Sequence, residues 1–72
     1  MTNTKLLEEK IRGSGIKKYV LAQRIGISRQ QFAKKCANTA EFKAGEIELL
    51  CNQLCINDYD RCKIFFAKQV DY

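Results

Sequence analysis

Histidine, proline and tryptophan are all absent from this 72-residue chain. Without histidine there is no imidazole for acid–base work at neutral pH and no mixed Cys/His zinc site. Without proline, and with four glycines set singly, nothing reads as a linker, a low-complexity tract or an internal repeat. No apolar run approaches the length needed to cross a bilayer, and no apolar N-terminal core precedes a cleavage site. A glycine-rich phosphate loop and an evident carboxylate pair are also missing, so the expectation is a protein without enzymatic activity, cofactor or small-molecule substrate. One domain spanning residues 1–72, soluble and cytoplasmic, fits this length.

The remaining absence is local. Between Lys10 and Ala40 there is no acidic residue, while Lys10, Arg12, Lys17, Lys18, Arg24, Arg29, Lys34 and Lys35 all fall there. Residues 1–43 hold ten Lys/Arg against three Glu, a balance of +7, and residues 44–72 hold three against five, a balance of −2. Such a split implies one basic face suited to a polyanion and a mildly acidic region turned elsewhere.

Four cysteines, Cys36, Cys51, Cys55 and Cys62, form no Cys-x2-Cys knuckle, so the expectation is no metal site. Cys51 and Cys55 stand four apart on a predicted helix and continue its apolar stripe. Buried thiols behaving as small hydrophobes is the favoured reading. An exposed Cys36 would have its pKa lowered by its basic neighbours and could then serve as a redox switch.

Periodicity and capping signals predict four or five helices. Asn3 or Thr4 can cap the first, which buries Leu7 and Ile11 and ends at Gly13-Ser14-Gly15. A second runs from about Lys17 to Arg24, burying Val20 or Leu21, Ala22 and Ile25, with Gly26 in the turn that follows. Ser28-Arg29-Gln30-Gln31 has the spacing of a capping box and opens a third helix, about Arg29 to Ala37. At 3.6 residues per turn, Phe32 and Cys36 point to one side of it. Gln30, Ala33, Lys34 and Ala37 point to the other, with Arg29 at the edge. A fourth helix carries Ile47, Leu50, Cys51, Leu54 and Cys55 on its buried face. Asn57 caps a fifth through about Lys63, and residues 64–72 suit either a continued helix or a short strand. This tail, 57–72, is a candidate interaction segment.

A helix–turn–helix at about 17–37, with Ala22, Gly26, Ser28 and Phe32 in place, resembles the Cro/C1-type DNA-binding proteins of bacteriophages. It is similar to the very short regulators of phages and mobile elements of Gram-positive bacteria. Ile25-Gly26-Ile27-Ser28-Arg29-Gln30 resembles that group's turn. Glu41-Phe42-Lys43-Ala44, Glu46-Ile47 and Leu49-Leu50-Cys51 resemble its following loop and fourth helix, and Ile64-Phe65-Phe66-Ala67 a C-terminal signature. The resemblance implies an all-α, lambda-repressor-like bundle that binds double-stranded DNA, commonly as a homodimer, in a bacterial cell or infected host in association with the nucleoid. It places Arg29, Gln30 and Lys34 at base edges, Lys17 and Lys18 at the phosphate backbone, and Thr39 and Lys43 in a loop touching the same strand. Three departures stand out. Lys35 occupies a position often apolar in the family, Cys55 one where a helix-ending glycine is common, and Lys43 is a poor N-cap.

The chemistry of those residue types agrees. Arg29 suits guanine O6 and N7, Gln30 suits adenine N6 and N7, and Ala33 leaves room for a thymine methyl. Ser28 and Lys35 join Lys17, Lys18, Thr39 and Lys43 as candidate backbone contacts. The expectation is a sequence-specific transcriptional regulator of the repressor type. The alternatives are a protein-contact module such as an antirepressor, or an architectural recombination factor that bends DNA.

Overall fold

The computed structural model describes residues 2–66, in which five helices and no strand are found. They are α1 (Thr4–Ser14), α2 (Lys18–Ile25), α3 (Arg29–Cys36), α4 (Ala44–Leu54) and α5 (Asp58–Phe65). Residue 67 onward, where the alternative strand was expected, lies outside the described residues; Ile64 and Phe65 continue α5.

Each helix begins or ends where its local chemistry dictates. The Asn3 side chain accepts from the Leu6 N–H, the Ser28 hydroxyl from the Gln31 N–H at 3.1 Å, and the Asn57 side chain from the Asp60 N–H at 2.8 Å. These bonds satisfy first-turn donors that have no partner inside the helix. At Ser28 the box is only half formed, because no bond returns from the Gln31 side chain to the Ser28 backbone among the described residues. Helix α2 ends at Gly26, whose φ of 82° is left-handed, and the Ile27 N–H then closes onto the Ala22 carbonyl at 3.0 Å. Only glycine adopts that φ without a steric penalty, so Gly26 sets the angle at which α3 leaves α2.

One core joins all five helices. Leu7 and Ile11 of α1, Leu21, Ala22 and Ile25 of α2, and Phe32 and Cys36 of α3 are buried together with Ile47, Leu50, Cys51 and Leu54 of α4 and Ile64 and Phe65 of α5. Phe42, from the loop before α4, stacks edge-on against Phe32 at 6.0 Å and against Phe65 at 5.5 Å between ring centroids. This aromatic relay ties α3 to α5 with quadrupole-favoured geometry. Because Phe32 is almost wholly enclosed, truncating it to Ala should cost about 3–5 kcal/mol and release α3.

Two sequence expectations about cysteine are corrected. Cys55 leaves the α4 stripe: it is the exposed, left-handed C-cap, with φ 54° and ψ 43°. Cys62 is exposed as well, so only Cys36 and Cys51 act as core thiols, and all four are unbridged. Cys36 does not meet the condition for a reactive thiol either. Burial, with a lesser contribution from Glu8, pushes its pKa up to about 11 against the opposing pull of Lys18.

Candidate nucleic-acid interface

Helix α3 is held from below and bare above. Phe32 and Cys36 anchor it in the core, while Arg29, Gln30, Ala33, Lys34 and Ala37 are all exposed. Its far end is clamped too. Asn38, at a left-handed φ of 66°, accepts from the Thr2 N–H and donates to the Thr2 carbonyl, both at 2.8 Å. The Thr4 hydroxyl donates to the Cys36 carbonyl, and the Asn3 N–H donates to the Ile64 carbonyl at 2.6 Å. The segment before α1 therefore straps the ends of α3 and α5 together.

The expected site residues fall into distinct groups. Arg29 and Ala33 open, with Lys17 and Lys18, onto one groove of about 700 Å³ between α1, the start of α2 and the outer side of α3. Gln30 and Lys34 share the exposed surface of α3 but do not line that groove. Ser28 spends its hydroxyl on capping, and the Thr39 hydroxyl donates to the Lys34 carbonyl at 2.9 Å, closing the end of α3. Lys43 is exposed at the N-cap of α4 with no side-chain capping bond.

Two of the expected contact lysines have intramolecular partners. Lys18 meets the Glu8 carboxylate at 2.7 Å in an exposed pair, which contributes little to stability and can exchange for another anion. Lys35 is the clear correction, because it does not reach the solvent face. It is buried, and its ammonium donates to Glu46 Oε1 at the start of α4. The same carboxylate oxygen accepts from the Lys43 N–H at 3.0 Å, which ties the backbone entering α4 to its first turn. Burial pushes the Glu46 pKa up, but the Lys35 hydrogen bond, the Lys43 N–H and the two lysine charges outweigh it and hold the carboxyl below its ordinary 4.5. Lys35 thus fastens the end of α3 to α4.

Sequence reasoning passed over Tyr19 and Arg12. Both line the groove, and the Arg29 guanidinium lies over the Tyr19 ring at 5.7 Å from its centroid. No sequence signal marked Tyr19, because its half-exposed place in the first turn of α2 is set by the fold. Arg24, at the other end of α2, donates to the Gln53 side chain at 2.8 Å.

Among the described residues no helix is long and apolar enough to cross a membrane, and no group of three metal-ligating side chains is gathered. Two helices joined by a glycine turn, the second bearing an exposed polar and basic face, define a helix–turn–helix protein. Residues 6–57 match the family described as the Cro/C1-type HTH DNA-binding domain, which covers all of α2 to α4, and the chain belongs to that family. No curated protein and no solved structure matches the chain.

Proposed function

We propose that this chain is a sequence-specific transcriptional regulator of the repressor type that reads duplex DNA by placing α3 in the major groove. The observation that carries the reading is the division of α3. Phe32 and Cys36 hold it from the core side, and Arg29, Gln30, Ala33 and Lys34 are presented to solvent with no acidic residue anywhere on the helix or its turn. Arg29, Gln30, Ala33 and Lys34 are the proposed base contacts. Lys17, Lys18, Ser28, Thr39 and Lys43 are the proposed backbone contacts, and Lys35 is left out because its charge is engaged inside the fold. One eight-residue helix offers few base contacts, so the protein acts on DNA as a homodimer on half-sites about 10 bp apart or a multiple of that.

Selection of bound duplexes from a random library at ~150 mM salt tests this. The expected product is an enriched near-palindrome, in which Arg29→Ala relaxes one defined base per half-site by about 1–3 kcal/mol of discrimination. Enrichment of a single asymmetric half-site would remove the dimer and keep the reading helix. No enrichment, with binding insensitive to salt, would overturn the DNA reading in favour of a protein contact. A large bend without base preference would make the role architectural.

A further inference from the structure

We infer that Tyr19 is a positioning residue for Arg29, fixing the direction of its guanidinium and so sharpening discrimination at the base that Arg29 reads. The inference rests on the proposed reading role of Arg29 and extends it to a residue outside α3.

The two residues are brought together by the helix–turn–helix itself. Tyr19 lies in the first turn of α2 and Arg29 opens α3, so Gly26 and the Ser28 cap set their separation. The guanidinium sits over the ring face at 5.7 Å from the centroid, within the range of a cation–π contact. Tyr19 is 49% exposed, so its ring is available to a neighbour and is not committed to the core. Among the described residues Arg29 has no carboxylate partner that would compete for its donors.

A cation–π contact suits a reading arginine for a geometric reason. A ring face attracts the charge without accepting a strong hydrogen bond, so the guanidinium N–H donors remain free to form a fork toward a base edge. A free arginine in solvent must lose most of its rotamer freedom when it binds. One already held against a ring loses less, and it is poorly placed to swing toward a wrong base or a phosphate. Tyr19 therefore acts through Arg29 and needs no base contact of its own.

The test measures relative affinities of the full chain for its selected duplex and for duplexes altered at single base pairs. Wild type, Tyr19→Phe, Tyr19→Leu, Arg29→Ala and the Tyr19→Leu/Arg29→Ala double variant are compared at fixed salt. Tyr19→Leu should lower discrimination at the Arg29 base about two- to five-fold, the size of an exposed cation–π contact, and leave other positions unchanged. Tyr19→Phe keeps the ring and should retain wild-type discrimination. In the Arg29→Ala background, Tyr19→Leu should have no further effect. An equal loss at every position, or a loss in Tyr19→Phe matching Tyr19→Leu, would overturn the inference in favour of a general or hydroxyl-mediated contact. If Arg29→Ala relaxes its base while Tyr19→Leu does not, the inference fails and the reading role of Arg29 stands. If Arg29→Ala relaxes no base, that reading role fails and the inference with it.

Discussion

Cys55→Gly should make this protein more stable, and the gain follows from one dihedral angle. Cys55 ends α4 at φ 54°, ψ 43°, a conformation in which the Cβ of an L-residue crowds the following carbonyl at a cost of about 1–2 kcal/mol. The backbone bonds it makes, its own N–H to the Cys51 carbonyl and the Ile56 N–H to the same carbonyl at 2.9 Å, are available to glycine. The side chain is exposed and unbridged, so its removal sacrifices almost no burial. Against the relief stands the greater freedom of glycine in the unfolded chain, about 0.4–1 kcal/mol. The net is about 0.5–1 kcal/mol, or a rise in Tm of roughly 2–8 °C for a chain of this size. Thermal and urea melts under reducing conditions would read it, with Cys55→Ala as control, since Ala keeps the Cβ and should match wild type. Gly26→Ala should act in the opposite direction, losing about 0.5–1 kcal/mol once the same unfolded-chain entropy is set against the strain, because the new Cβ at φ 82° meets nothing within 4 Å and the penalty is backbone strain alone. A Cys55→Gly variant no more stable than wild type, or a Cys55→Ala variant equally stabilised, would refute the argument.

Other perturbations follow from named contacts. Lys35→Ala leaves the Glu46 carboxylate half-served at the start of α4 and should cost about 1.5–3 kcal/mol in urea denaturation, whereas Lys43→Ala should cost under about 0.5. Since the folded carboxyl of Glu46 lies below its ordinary 4.5, its contribution is complete above that pH and is lost as pH falls through the folded value. Urea midpoints from pH 7 to 3 should show the loss, and Glu46→Gln should flatten that part of the curve. Asn38→Ala breaks both bonds to Thr2 and adds left-handed strain, so it should destabilise by about 2–3 kcal/mol, and Asn38→Gly by about 1 less, because only the bonds are lost. A thiol reagent at pH 8 should label Cys55 and Cys62 quickly and reach Cys36 and Cys51 only on unfolding. Rapid labelling of Cys36 would contradict its burial.

Local signals in this chain were legible, and contacts across the fold were not. Asn3, Ser28 and Asn57 cap their helices because a short polar side chain reaches a first-turn N–H within its own segment, which spacing alone reveals. Leu7 with Ile11, and Ile47 with Leu50, Cys51 and Leu54, were readable because helical period and burial coincide. The face of α3 followed from the same arithmetic. Lys35 was misjudged because lysine is normally outside, and its burial depends on Glu46, eleven residues onward and across a loop. Cys55 was misjudged because its i, i+4 relation to Cys51 continues the stripe, while the left-handed turn that removes it from the stripe carries no glycine to announce itself. Tyr19 acquired meaning only once the crossing of α2 and α3 set it beneath Arg29.

Charge shows the same limit. Read along the chain, the acid-free stretch offers eight cations, yet folding assigns several of them. Lys10 pairs with Asp60, Lys18 with Glu8 and Lys35 with Glu46, every acid coming from outside the stretch. Arg12, Lys17, Arg24, Arg29 and Lys34 have no carboxylate partner among the described residues, Arg24 donating to the Gln53 side chain instead, and Lys43 adds one more from the loop. If Arg29 and Lys34 read bases and Arg24 stays on Gln53, the charges left for phosphate are Arg12, Lys17 and Lys43, with Lys18 able to exchange Glu8 for DNA. Each neutralised phosphate contributes about 0.9 to the slope of log K against log salt, so three or four contacts give about −2.7 to −3.6 per subunit. All eight cations on phosphate would give about −7. A salt titration of affinity for the selected duplex separates these values. A slope near −7 would mean that the Lys10 and Lys35 pairs open on DNA, which for Lys35 would cut the tie between the end of α3 and the start of α4.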